Sequence, residues 1–134
     1  MRRLFTDNIV YKRRARFGAI LWTLLIFILC FMPAREVPDV KIPLIDKWAH
    51  FILFGVFSFL WLLSLRTVTV GRMAVVLIIS IVLGWLVEYL QGALTFLGRS
   101  QDNIDTLADG IGGLLGMLVF YLLWRRSNKR KQVT

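Results

Sequence analysis

Four apolar runs separated by short polar stretches organise the chain. They are residues 17–32 (FGAILWTLLIFILCFM), 48–65 (WAHFILFGVFSFLWLLSL), 73–97 (MAVVLIISIVLGWLVEYLQGALTFL) and 104–124 (IDTLADGIGGLLGMLVFYLLW). A helix needs about 20 residues to cross a hydrocarbon core, with about 17–25 tolerated. The runs therefore predict an all-α membrane protein, a bundle of four transmembrane helices. The first helix is slightly short and the third long enough to tilt. The 17–124 domain is flanked by a basic segment at 1–16 and a basic tail at 125–134. The first run and its basic leader resemble a signal peptide loosely, ending at "MPA". The apolar run is long and the basic region extended, so an uncleaved helix is expected.

Composition agrees with a membrane chain. The 134 residues are 57% hydrophobic and only 19% charged, with a mean hydropathy of +0.68. A soluble domain of this size has too little interior for that much apolar surface, and the length allows one domain. The net charge of +9 raises nucleic acid as a partner, but the arrangement excludes it. Arg2, Arg3, Lys12, Arg13, Arg14 and Arg16 precede the first run, and Arg125, Arg126, Lys129, Arg130 and Lys131 follow the last. Basic residues beside apolar runs set orientation and meet anionic lipid. With the N-terminus cytoplasmic, thirteen Lys/Arg lie on the inner side and four on the outer, which predicts N-in, C-in topology. Cys30, the single cysteine, builds no disulfide within one chain, and Leu29 before it excludes a lipoprotein site; it is expected to pack.

The acidic residues are distributed the other way. Glu36, Asp39, Asp46 and Asp102 fall in the outer loops, and Glu88, Asp105 and Asp109 within helices or at their mouths. Glu88 lies about 15 residues past the inner end of the third run, about 22 Å along a helix. Asp46, His50, Asp105 and Asp109 begin the second and fourth helices at similar depth. Asp46 and His50 are i, i+4, and Glu88 and Gln91 are i, i+3. Asp102, Asp105 and Asp109 form a carboxylate stripe, with Lys47 and Arg99 as counter-charges. Polar groups facing lipid cost about 2.5–3.5 kcal/mol each near the bilayer centre, so these are expected to turn inward and make a polar pocket open to the outer side. Gly84, Gly92, Gly110, Gly112, Gly113 and Gly116 permit close helix approach. Plainer roles exist for some: Asp102 and Asp46 as helix caps, Lys47 and Arg99 as interfacial residues, His50 as a structural hydrogen bonder. Glu88 has the weakest plain role, because inside a helix it needs a partner or a proton.

"DKWAHFILFG" at 46–55, "EYLQ" at 88–91 and "GRSQDNIDTLADGIGGLLG" at 98–116 resemble the VanZ-like family of small bacterial membrane proteins. The likeness spans roughly residues 40–118 and rests on D-K-x-x-H, E-x-x-Q and R-x(5)-D-x(3)-[ND]-x(2)-G in order. It implies a multi-pass protein of the bacterial inner membrane whose pocket faces the extracytoplasmic side, in a family whose namesake is linked to teicoplanin resistance. The positions carried over are Asp46, Lys47, His50, Glu88, Gln91, Arg99, Asp105 and Gly112. Asp109 stands where family members often have Asn, which adds negative charge to the pocket.

The leading functional expectation is binding or shielding of an envelope lipid or a lipid-tailed glycopeptide, with Lys47 and Arg99 holding an anionic headgroup and His50 and Glu88 hydrogen-bonding it. The alternative is an intramembrane enzyme acting on a lipid-linked or peptidoglycan precursor. There His50 is the base, oriented by Asp46 or Glu88, and the nucleophile is water or the substrate, since no activated Ser or Cys is evident. A third reading is a structural or accessory component held in register by a buried polar network. No organic cofactor is expected; Mg, Mn or Ca suits one histidine with several carboxylates better than zinc. The expected partners are membrane lipids, a lipid-linked precursor or lipoglycopeptide, and a second copy in a homodimer. The polar groups stay in the outer half, which argues against an ion path.

Overall fold

The computed structural model describes residues 8–36 and 43–132, with side chains described as far as Lys129. Arg2, Arg3, Asp7, Asp39 and Lys41, which entered the charge count, lie outside the described residues, as do the side chains of Arg130 and Lys131. The described residues are all-helical, without strands: α1 (Ile9–Cys30), α2 (Ile45–Ser64), α3 (Val70–Ala93) and α4 (Asn103–Gln132), with 3₁₀ turns at Ala34–Glu36 and Thr95–Leu97.

Capping side chains start three of the four helices. Asn8 Oδ1 accepts from Val10 N and Tyr11 N, and Thr69 Oγ1 accepts from Arg72 N. Asp102 Oδ1 accepts from Ile104 N at 2.8 Å while its carbonyl accepts from Asp105 N and Thr106 N. Each side-chain oxygen satisfies a donor that the first turn leaves unpaired. Because Asn8 caps so early, the basic residues 12–16 form the first turns of α1 rather than a separate tail. At the other end of the bundle, Gly98 takes a left-handed φ of 64° and turns the chain from α3 toward α4.

Three helices, α2, α3 and α4, are long and apolar enough to cross a membrane. The helical part of α1 that is free of basic residues runs from residue 17 to 30; at about 1.5 Å per residue it reaches about 21 Å, short of a hydrocarbon core of about 30 Å. Much of the exterior is apolar: Ile78, Ile79 and Val82 on α3 and Leu107, Ile111, Leu118 and Leu122 on α4 are exposed. A water-facing surface rarely carries so much contiguous hydrocarbon.

Side-chain pairings give the helix directions. Lys47 meets Asp102 and Asp105, His50 meets Asp109, and Phe59 packs on Phe120. The numbers rise together, so α2 and α4 run parallel. Lys12 reaches Leu63 and Trp22 reaches Leu53, so α1 is antiparallel to α2. Gly84 faces Asp109 and Gly113 faces Ser80, so α3 is antiparallel to α4. The α2–α4 contact is the closest. A Cβ at Gly112 would strike Phe51 O, and one at Gly116 would strike Gly55 O. Small residues four apart let two helix backbones touch. One apolar core gathers Leu62, Leu63, Met73, Val76 and Phe120, and a second gathers Ile26, Cys30, Leu53, Phe54, Phe57 and Val87.

Candidate functional site

The first turns of α2 and α4 and the last turns of α3 meet at one end of the bundle, and there the carboxylates converge. Lys47 Nζ is at the centre of the upper part. It donates to Asp46 Oδ2 at 2.8 Å, Asp102 Oδ2 at 2.8 Å and Asp105 Oδ1 at 3.0 Å. An ammonium has three N–H donors, and here three carboxylates take them. The expected use of Lys47 as a clamp for an anionic headgroup is therefore not what this geometry offers: its charge is already outnumbered.

One turn deeper lies His50, stacked on Phe54. Its Nδ1 is 3.0 Å from Asp109 Oδ1 and its Nε2 is 3.6 Å from Glu88 Oε1. A carboxylate at Asp109 can only accept, so it holds the ring proton on Nδ1 and turns Nε2 toward Glu88. The orienting group is thus Asp109, rather than the expected Asp46 or Glu88. Gly84 admits it: a Cβ there would lie 2.6 Å from Asp109 Oδ2. Glu88 Oε2 accepts the backbone N–H of Asp102 at 2.9 Å, which ties α3 to the start of α4. Among the described residues, Glu88 Oε1 and Asp109 Oδ2 are buried with no hydrogen-bond partner.

Exposure falls steadily through the site. The Asp46 side chain is 53% exposed, Lys47 15%, Asp105 10%, and Glu88 and Asp109 0%. The residues pack against one another as a closed polar column with its rim at Asp46 and Asp102, where an open pocket was expected. Five carboxylates, Asp46, Glu88, Asp102, Asp105 and Asp109, share one ammonium and one imidazole, so the column is acidic. Two groups have ligand atoms within 4.8 Å of one another: Asp46, Asp102 and Asp105, which surround Lys47, and His50, Glu88 and Asp105 below it. Asp102, at the rim, is held below the usual carboxylate range by its bond to the Lys47 ammonium and the Ile104 N–H.

Three expected pocket residues serve elsewhere. Gln91 Nε2 donates to Cys30 O at 2.7 Å, and Arg99 Nε donates to Met32 O at 3.0 Å. Both bind the C-terminal end of α1 to the rest of the bundle. Gly112 provides the α2–α4 contact. Trp85 and Tyr89 stack on each other on the exposed side of α3 and do not line the column. Cys30 is buried, as expected.

Sequence reading missed two features. Ser58 and Ser80 are buried, and their hydroxyls, without hydrogen-bond partners among the described residues, face Gly113 and extend the polar seam toward the bundle middle. Serine in an apolar run carries little signal by itself. Lys12, counted only toward topology, is buried and donates to Leu63 O at 2.9 Å, a cation at the C-terminal end of α2. With Arg13, Arg16 and Arg66 it lines a basic cleft. The bundle thus has a basic end and an acidic end.

Outside the column, an apolar groove of about 480 Å³ lies between α3 and α4, lined by Leu77, Ile81, Leu107, Gly110, Ile111 and Leu114, with Asn103 and Thr106 at its polar end. No family model, curated protein or solved structure matches this chain.

Proposed function

We propose that the chain is a VanZ-like protein of the bacterial inner membrane, with four spans and both termini cytoplasmic, that binds or shields an envelope lipid or a lipid-tailed glycopeptide of the teicoplanin kind. The observation that carries the reading is an apolar groove whose polar end, Asn103 and Thr106, adjoins the acidic residues Asp102 and Asp105 along α4. A hydrocarbon tail fits against Leu77, Ile81, Ile111 and Leu114, while the polar part of the ligand lies at Asn103, Thr106 and the Asp46–Lys47–Asp102 rim. With Lys47 already bound by three carboxylates, the rim favours hydroxyl, amide or amine donors over an anion. Arg99, whose terminal amino groups have no hydrogen-bond partner among the described residues, is the group that could meet a phosphate.

Topology follows the same axis. Lys12, Arg13, Arg16 and Arg66 gather at the end opposite the carboxylates, as the positive-inside rule requires if that end is cytoplasmic. Helix α1 completes the fourth span by letting its arginine side chains reach the interface while their stems cover hydrocarbon.

An enzyme reading is favoured by the Asp109–His50–Glu88 arrangement, in which an oriented imidazole faces a carboxylate. It requires that Nε2, now turned toward Glu88, become accessible to a lipid-linked substrate. One experiment separates the two readings. The envelope lipid and peptidoglycan-precursor profile of a deletion strain is compared after complementation with wild type, Glu88→Gln and His50→Ala, each inserted and expressed equally. A precursor that accumulates in the deletion and in both variants supports the enzyme. An unchanged profile with altered teicoplanin susceptibility supports binding or shielding. No change in either removes both.

A further inference from the structure

We propose that His50, Glu88 and Asp105 hold a divalent transition cation, with Asp109 as the group that orients the histidine. The inference does not depend on what the groove binds.

The first observation is the facing of His50 and Glu88. With Asp109 accepting from Nδ1 at 3.0 Å, a neutral imidazole turns the lone pair of Nε2 toward Glu88 Oε1, 3.6 Å away. Two acceptors oppose one another there, and something positive must lie between them: a proton or a metal ion. A carboxylate on the far nitrogen of a metal-bound histidine is the usual outer partner; it fixes the tautomer and makes the ring a better ligand.

The second observation is the burial of Glu88 itself. Glu88 is fully buried and Oε1 has no hydrogen-bond partner among the described residues, while its other oxygen is fixed by Asp102 N. A buried acceptor left without a partner destabilises the fold, more so when charged. A ligand bond removes that cost.

Distances fit. His50, Glu88 and Asp105 each present one atom within 4.8 Å of the other two. Ligand atoms about 2.1 Å from a shared cation are about 3.0–3.4 Å apart in octahedral or tetrahedral geometry, so small side-chain shifts close the site. The upper group, Asp46, Asp102 and Asp105, is already bridged by the Lys47 ammonium, so Asp105 joins an ammonium-filled site to the one below. Two carboxylates with one imidazole suit a hard, oxygen-preferring cation that also accepts a nitrogen ligand, such as Mn²⁺.

The test uses the full chain, purified in detergent without a histidine tag, stripped with EDTA and titrated with MnCl₂. His50 is the single histidine of the sequence, so it is the one source of imidazole nitrogen. The expected result is one Mn²⁺ per chain, counted from the loss of the free-ion electron paramagnetic resonance signal, with a ¹⁴N coupling from imidazole in the pulsed spectrum. Glu88→Gln keeps the acceptor for Asp102 N but weakens Mn²⁺ binding about tenfold or more, the scale seen for losing even an outer partner. Glu36→Gln, an exposed carboxylate outside the column, leaves binding unchanged. Mn²⁺ that is not retained, or is bound without a ¹⁴N coupling, or is bound equally by folded Glu88→Gln, overturns the proposal and leaves His50 and Glu88 sharing a proton. If Glu88→Gln does not fold, the ¹⁴N coupling of the wild type decides. A chain that holds Mn²⁺ yet changes neither precursor profile nor susceptibility on deletion fails the lipid reading alone.

Discussion

Lys47 and His50 each face more than one carboxylate, so removing either leaves acidic groups facing one another at the end of the bundle. Breaking a buried pair by deleting one partner costs about 3–5 kcal/mol. His50→Ala, which strands Asp109 and Glu88, is expected to lose about that much in reversible unfolding in mixed micelles. Asp46→Asn, at an exposed rim position, is expected to cost less than about 1 kcal/mol. Asp102 adds a pH dependence. Its carboxyl is held below its ordinary 3.8 by Lys47 and Ile104 N. The folded value is depressed, so its contribution is fully present above the unfolded value and disappears as pH falls through the folded one. Unfolding measured from pH 5 downward should show stability lost below about pH 4, and Asp102→Asn should remove that part of the slope.

At the scale of the helices, α4 is the informative element, because its glycines have unequal surroundings. Gly112 and Gly116 lie against the carbonyls of Phe51 and Gly55, whereas the nearest atom to a Cβ at Gly110 is Ile81 Cγ1 at 4.0 Å. Gly116→Ala must push α2 and α4 apart, an overpacking that costs about 1–3 kcal/mol or more. Gly110→Ala has room and gains helix propensity of up to about 1 kcal/mol. Thermal unfolding of the two variants side by side is expected to shift in opposite directions. Equal shifts would mean that the two helices do not touch as described. Helix α1 is the other instructive element. Its apolar run is short, and the capping by Asn8 and the bond from Lys12 to Leu63 O extend it as a helix into its basic segment.

Across the whole molecule, charge is separated along the bundle: Lys12, Arg13, Arg16 and Arg66 at one end, the carboxylate column at the other. The proposed orientation places the acidic end outside. In intact cells a membrane-impermeant thiol reagent is expected to label Ser100→Cys, in the exposed loop before α4, and to label Lys129→Cys, exposed near the end of α4, only after permeabilisation. Both substitutions are made in a Cys30→Ala background, which removes the native thiol. The reverse pattern would invert the topology.

The number and approximate extent of the helices were legible in the chain, because long apolar runs have few other solutions when backbone groups must be bonded internally. Convergence of Asp46, Lys47, His50, Glu88, Asp105 and Asp109 was legible too, since apolar helices that alternate in direction bring polar positions of equal depth to one level. Partner choice was not. Lys47 binding three carboxylates, Asp109 rather than Asp46 orienting His50, and Gln91 and Arg99 turning to α1 carbonyls depend on helix rotation and separation. Those are decided by which backbones can touch, here Gly55 with Gly112 and Gly116 and Gly84 with Asp109. The sequence by itself determined apolar helices with basic residues grouped at one set of helix ends and carboxylates at the other. Only the packed bundle decided which charges pair, because pairing acts over about 3 Å and the pattern along one chain has no term for the distance between two helices.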